Sequence, residues 1–313
     1  DRRDPDPCRD QSRPRRVRAV HRQLVAVVSP HATVARRGRL APTPTGLLHV
    51  GHARTFAEAA RRAGAAGLVL RIEDLDPDRC RDEFATAALD DLRWLGLAWT
   101  EGPDLGGPHG PYLQSGRGQW YRDIWRRLEA AGAIYPSPHS RKDLQEAGLA
   151  PHSEGEPIFP PALRPKTRQR AADPGGVPWR FRVPDGRVIT FDDATAGRVE
   201  RTAGVDFGDF VIWRRENLAA YELAVTADDH AMAIQEVVRG DDLLTSTARQ
   251  LLLYETLGWE PPAFCHLPLI RDPRGQRLAK RSASLSIREL RRAGHSPETV
   301  LTGPIGEIGL RGP

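Results

Sequence analysis

Arg39-Leu40-Ala41-Pro42-Thr43-Pro44-Thr45-Gly46-Leu47-Leu48-His49-Val50-Gly51-His52 leads straight into Ala53-Arg54-Thr55-Phe56-Ala57-Glu58-Ala59-Ala60, and this passage decides the fold. A loop rich in Pro, Thr and Gly opens a helix whose first turn carries two imidazoles three residues apart, on one face. Unpaired backbone N–H groups and the positive end of the helix dipole attract phosphate oxygens at such a terminus, and the rings add further donors. The pattern predicts a polyphosphate site. Downstream, the apolar run Gly67-Leu68-Val69-Leu70-Arg71-Ile72 reads as a buried parallel strand that ends in Glu73-Asp74-Leu75-Asp76-Pro77. Carboxylates there face the crevice in which doubly wound sheets bind ligands.

Outward from this unit, a helix is expected around Phe84, Ala88, Leu92 and Leu95, closed by Gly96, and another around Trp120, Ile124, Trp125 and Leu128, closed by Gly132. The expected fold is therefore α/β, a Rossmann-type doubly wound parallel sheet. Residues 134–204 interrupt the rhythm: Pro-rich and polar between Pro136 and Pro178, then strand-like at Trp179–Val183 and Val188–Phe191. They read as a smaller inserted domain. The α/β pattern resumes at Asp209–Trp213, continues through Tyr221–Val225, enters a helix from Thr245 to Leu257 and closes with a helix near Ile287–Ala293.

At 313 residues with 39% hydrophobic content, the chain can build a sizeable core. Its net charge of +5 is carried by residues 1–39, where eleven Arg face four Asp, so the remainder is slightly acidic. Any RNA contact then needs a local patch rather than a basic body. Residues 1–38, rich in Arg, Asp and Pro, read as a disordered extension before a catalytic region at 39–313. Cys8, Cys80 and Cys265 form no framework, no apolar run reaches membrane-spanning length, and Leu24–Val28 is too short for a signal segment. The expected location is the cytoplasm. Lys occurs only at 142, 166 and 280 in a chain that otherwise uses Arg, which singles out sites where a flexible point charge is wanted.

Taken together, Arg39–His52, Arg71–Asp76, Tyr221–His230, Val238–Asp242 and Arg277–Ser282 resemble, in order and spacing, the class I glutamyl-type aminoacyl-tRNA synthetases, from Arg39 to near the end of the chain. Within that family the chain is most similar to the short members that attach glutamate to queuosine in the anticodon of tRNA(Asp). Only 33 residues follow Lys280, too few for a helical anticodon-binding region, and Val225 stands where full-length members usually carry Asn. The resemblance implies that His49, Gly51, His52 and Lys280 bind ATP, with His49, His52 and Lys280 catalytic. It also implies that Arg39, Leu40, Ala41, Pro42, Thr43, Glu73, Tyr221 and Arg239 hold L-glutamate. Glu73 suits the ammonium, and Arg39, Tyr221 and Arg239 suit the carboxylates, without deciding which takes which. Mg2+ would accompany ATP, queuosine-bearing tRNA(Asp) would be the acceptor, residues 134–204 would form the acceptor-binding subdomain, and the protein would act as a monomer. The rival readings are a related ligase or nucleotidyltransferase with another acceptor, and a non-catalytic RNA-binding relic.

Relatives often hold a structural zinc through Cys-x-Cys, Tyr and a further Cys. Here Tyr135-Pro136-Ser137-Pro138-His139 and Leu163 occupy those places, so the expectation is that no structural zinc binds, with His139 and His152 as solvated loop residues. Asp74 and Asp76 read as caps rather than metal ligands, and Asp228-Asp229-His230 as capping or sheet-edge residues.

Overall fold

The computed structural model describes residues 35–139, 158–270, 286–304 and 308. Strand β1 (Gly38–Leu40) pairs in parallel with β2 (Leu68–Leu70), and the crossover between them is α1 (Val50–Ala63). Parallel neighbours need such a crossover, and α1 fits it because Val50, Ala53, Phe56, Ala59 and Ala63 bury one stripe against the strands. Gly38 suits the closeness of that packing: a Cβ there would sit 3.1 Å from Leu68 Cδ2 and 3.4 Å from Ala63 Cβ, so these neighbours would have to shift slightly.

Further along the chain come α2 (Asp82–Trp94), α3 (Gly118–Ala130), β3 (Ile134–Pro136), β4 (Trp179–Phe181), β5 (Val188–Asp193), β6 (Gly197–Thr202) and β7 (Phe210–Trp213). They are followed by α4 (Tyr221–Ala231), β8 (Glu236–Gly240), α5 (Leu244–Leu257), β9 (Ala263–Leu267), α6 (Ile287–Arg292) and α7 (Pro297–Thr302). Strand β8 runs beside β1, joined by hydrogen bonds from Gln235 N and Glu236 N to Arg37 O and from the Arg39 guanidinium to Val238 O. Beyond it lie β9, parallel to β8, then β5, parallel to β9, and finally β6, antiparallel to β5. A separate antiparallel sheet has the order β3–β4–β7.

Two apolar clusters hold this together. One gathers Leu40, Phe56, Leu70, Leu92 and Ile287 around β1, α1, β2 and α2. The other packs Trp125, Trp179, Trp213, Leu223 and Leu252, with the Trp125 and Trp179 rings edge to face at 4.8 Å. The described part of residues 134–204 shares that second cluster with α3, α4 and α5, and β5 joins β9 directly.

Residues 35–38, read as part of an extension, are among the described residues, and Gly38 opens β1. Arg37 donates to Met232 O and Gln235 Oε1, because the first strand needs edge partners on the β8 side. Residues 1–34, and with them Cys8, lie outside the described residues. Cys80 and Cys265 are free thiols. Among the described residues no helix is long and apolar enough to cross a membrane.

Candidate active site

His49 is the N-cap of α1, and two hydrogen bonds fix both imidazoles there. His49 Nδ1 accepts from Gly51 N at 3.0 Å, and His52 Nδ1 accepts from His49 N at 3.2 Å. A nitrogen that accepts a backbone N–H carries no proton, so each ring is held with its hydrogen on Nε2. The helix start thus offers ring donors beside its own N–H groups, which is the chemistry a phosphate needs. The rings lie 3.8 Å apart, and His52 stacks on Phe56. Gly51 permits this arrangement: a Cβ there would stand 2.8 Å from His49 Cε1.

The same cleft, about 450 Å³, continues to the carboxyl ends of β1 and β8. Arg39, Ala41, Thr43, His49, Gly51, His52, Glu73, Tyr221 and Arg239 all line it. Beneath lies a buried charge lattice. Arg71 donates to Asp229 at 2.7 Å and to Glu73 at 3.0 Å, and Arg39 Nε stands 3.5 Å from Asp229. Asp228 accepts from Arg117 at 2.6 Å and from Gln114 and Tyr121 at 2.8 Å each. Burial disfavours the Arg71 cation, yet Asp229, Glu73 and Asp228 together hold its pKa well above the usual value. Burial raises the Glu73 pKa, opposed by Arg71 and Arg39.

Of the buried donors without a hydrogen-bond partner among the described residues, two belong to residues that line the cleft: Arg39 Nε, which stands 3.5 Å from Asp229, and Arg239 Nη1. The two guanidinium groups give the cleft wall a cationic character that suits an anion. With Glu73 alongside, the donor set suits a small molecule carrying carboxylates and an ammonium.

Two sequence-predicted residues do not line the cleft. Strand alternation sends Arg39 and Ala41 to the cleft side and leaves the Leu40 side chain wholly in the core. Pro42 is buried and contributes its carbonyl, which accepts from Glu73 N at 3.0 Å and so sets the height of that carboxylate. Lys280, with all of Arg277–Ser282, lies outside the described residues. The flanks of that segment are at the site: Ile270 lines the cleft, and Ser286 bridges His49.

The aspartates differ from expectation in detail. Asp74 accepts from the Ser115 backbone and hydroxyl and thereby caps the turn Gln114–Arg117 rather than its own. Asp76 accepts from Arg79 at 2.6 Å. Asp228 and Asp229 sit inside α4 as partners of buried arginines, neither capping nor at a sheet edge, since Arg71 brings a charge into the core that must be matched. His230 stacks on Trp259 at 3.9 Å. Sequence reasoning missed Phe56 on α1 and Leu267, Pro268, Leu269 and Ile270 as cleft walls; the signal for the last four was an apolar run at and after the carboxyl end of β9.

The zinc ligands of relatives have no equivalent chemistry here. Tyr135 donates to Asp209, which Arg164 also grips through Nε and Nη2 at 2.7 Å each. The buried Ser137 hydroxyl accepts from Arg180 at 3.3 Å, and Leu163 packs with Tyr135 and Phe159. Serine and leucine do not fit a zinc ion, and an ion-paired cluster ties these strands instead. His152 lies outside the described residues.

The family model for class I tRNA synthetases (E and Q), catalytic domain, matches residues 36–310. Over 274 residues the chain is 50% identical to the glutamyl-Q tRNA(Asp) synthetase of Symbiobacterium thermophilum, covering 84% of each. It is 43% identical over 270 residues to glutamate–tRNA ligase 1 of Halorhodospira halophila, covering 84% of this chain and 56% of the ligase. Among solved structures, a glutamate tRNA ligase from Elizabethkingia meningosepticum in complex with its amino acid superposes with a TM-score of 0.70 at 28% identity, over 89% of this chain and 61% of that one. With the family model covering most of the chain and relatives this similar, the chain is a member of the class I tRNA synthetases of the glutamate and glutamine group.

Proposed function

We propose that the protein activates L-glutamate with ATP and passes the glutamyl group to queuosine in the anticodon of tRNA(Asp). The observation that carries this reading is the shared cleft, which His49 and His52 line together with Arg39, Glu73, Tyr221 and Arg239. The glutamate α-carboxylate attacks the ATP α-phosphorus in line, the bond to the bridging oxygen breaks, and pyrophosphate leaves with its Mg2+. Imidazole Nε2–H groups and the α1 N-terminus stabilise charge on the phosphate oxygens, and Lys280 steadies the leaving group from the segment whose two flanks meet the cleft. A queuosine hydroxyl then attacks the adenylate carbonyl, forming the ester and releasing AMP. No nucleophilic side chain is required.

Arg39, Arg239 and Tyr221, the last 40% exposed, seat the carboxylates, and Glu73 takes the ammonium. Residues 134–204 serve as the acceptor-binding subdomain, in a monomeric cytoplasmic enzyme. The queuosine acceptor is supported by the 50% identity with the Symbiobacterium protein, against 43% with the Halorhodospira ligase. The deciding experiment offers labelled glutamate with queuosine-containing tRNA(Asp), unmodified tRNA(Asp) and tRNA(Glu). Transfer to the first alone is expected; transfer to tRNA(Glu) instead would replace the acceptor, and no transfer to any of them would refute the reading.

A further inference from the structure

Three neighbouring strands carry a row of polar side chains that ends at the glutamate seat. Arg239 on β8 is in register with His266 on β9, and Asp193 on β5 pairs with Phe264, two residues before His266 on the same face. Arg239 Nε donates to His266 Nε2 at 3.1 Å, and His266 Nδ1 lies 2.7 Å from Asp193 Oδ2. His266 and Asp193 are buried, and neither lines the cleft.

The chemistry of the row allows one arrangement. A guanidinium has only donors and stays protonated, so His266 Nε2 must accept, and the imidazole proton must lie on Nδ1, facing the Asp193 carboxylate. Burial and the Arg239 charge lower the His266 pKa, which keeps the ring neutral as that acceptor role demands. Asp193 is itself fixed by Thr195 N at 2.9 Å, Ala196 N at 2.8 Å and His266 N at 3.1 Å. Arg239 Nη2 is occupied by Thr247 at 2.7 Å and Gln250 at 3.0 Å. Of the five N–H donors, the two on Nη1 alone lack a partner among the described residues.

We propose that Asp193 and His266 are positioning residues for glutamate binding: they lock the Arg239 guanidinium in the orientation in which it stands at the cleft wall. The inference rests on the glutamate-activation reading, and Asp193 ties β5, within residues 134–204, to that seat.

Replacements at 266 separate the two halves of the relay. His266→Gln sets an amide oxygen near the place of Nε2 and keeps an acceptor for Arg239. His266→Asn keeps a donor to Asp193 and removes that acceptor. In glutamate-dependent pyrophosphate exchange, His266→Asn is expected to raise KM for glutamate about tenfold or more, with KM for ATP within about twofold of wild type and His266→Gln within about threefold. Asp193→Asn, which no longer forces the proton onto Nδ1, raises the same KM about three- to tenfold. Equal effects of Asn and Gln at 266, or parallel losses for glutamate and ATP, would overturn the proposal, and an unaffected Asp193→Asn would remove Asp193 from it. Calorimetric titration of glutamate keeps the two readings apart. Binding by wild type without exchange would fault activation while still ranking the variants; no binding at all would overturn both.

Discussion

Glu73→Gln tests the proposed seat for the substrate ammonium. Glu73 is 9% exposed, and its carboxylate accepts from Arg71 at 3.0 Å while Arg39 and Asp229 stand close by. The amide keeps the shape and an acceptor oxygen but removes the charge, so an ion pair with the substrate ammonium becomes a hydrogen bond from the ammonium to an uncharged oxygen. The difference is about 1–1.5 kcal/mol, which corresponds to roughly a 5- to 12-fold rise in KM for glutamate. Arg71 retains Asp229 at 2.7 Å and Asp228 at 3.8 Å, so the fold should lose only about 1–2 kcal/mol. Glutarate, which is glutamate without its ammonium, supplies the control. As a competitive inhibitor of pyrophosphate exchange it should bind wild type and Glu73→Gln within about twofold of each other. The reasoning is refuted if glutarate and glutamate weaken by the same factor, or if KM for glutamate does not move.

Three further outcomes follow from the geometry. His49→Asn retains a side-chain oxygen at the N-cap and loses the ring donor, so exchange should fall about 100-fold while thermal stability changes by less than about 1 kcal/mol; parallel losses would make His49 structural only. Gly51→Ala places a Cβ 2.8 Å from His49 Cε1 and drives that ring from its cap, so turnover should fall about tenfold or more in a protein that still melts cooperatively. Asp91, 3% exposed and with Oδ2 unpartnered among the described residues, is pushed up to about 6 by burial, against the pull of Arg288 and Arg291. A carboxyl whose folded pKa is raised favours folding below its ordinary value near 3.8 and loses that contribution as pH rises towards 6. Asp91→Asn should therefore stabilise the protein by about 1–3 kcal/mol at pH 7.5, with the gap closing below about pH 4, as denaturant melts at the two pH values would measure.

What could be read from the chain was local. The loop, capped helix and strand from Arg39 to Glu73 announce themselves because helix starts, strand alternation and the His49–His52 spacing are all short-range. Helix α4 was harder: Glu222 to Asp229 are buried on every side, so the segment lacks the polar face that marks a helix. The row Asp193–His266–Arg239 joins residues 27 and 73 positions apart through side chains, and the lattice of Arg71, Asp228 and Arg117 joins three elements. No periodicity signals such contacts, since they exist only once strands have paired. Leu40 and Pro42 show the converse limit, for a motif names a stretch while the strand's two faces divide its side chains between core and cleft.

The account turns on one cleft holding a triphosphate and glutamate together, and ATP–pyrophosphate exchange with the intact protein tests it most directly. Label should enter ATP when glutamate is supplied, without any tRNA, and only background should remain with aspartate or glutamine or in Lys280→Ala. Exchange that ignores glutamate, or that persists at the wild-type rate in Lys280→Ala, would contradict it.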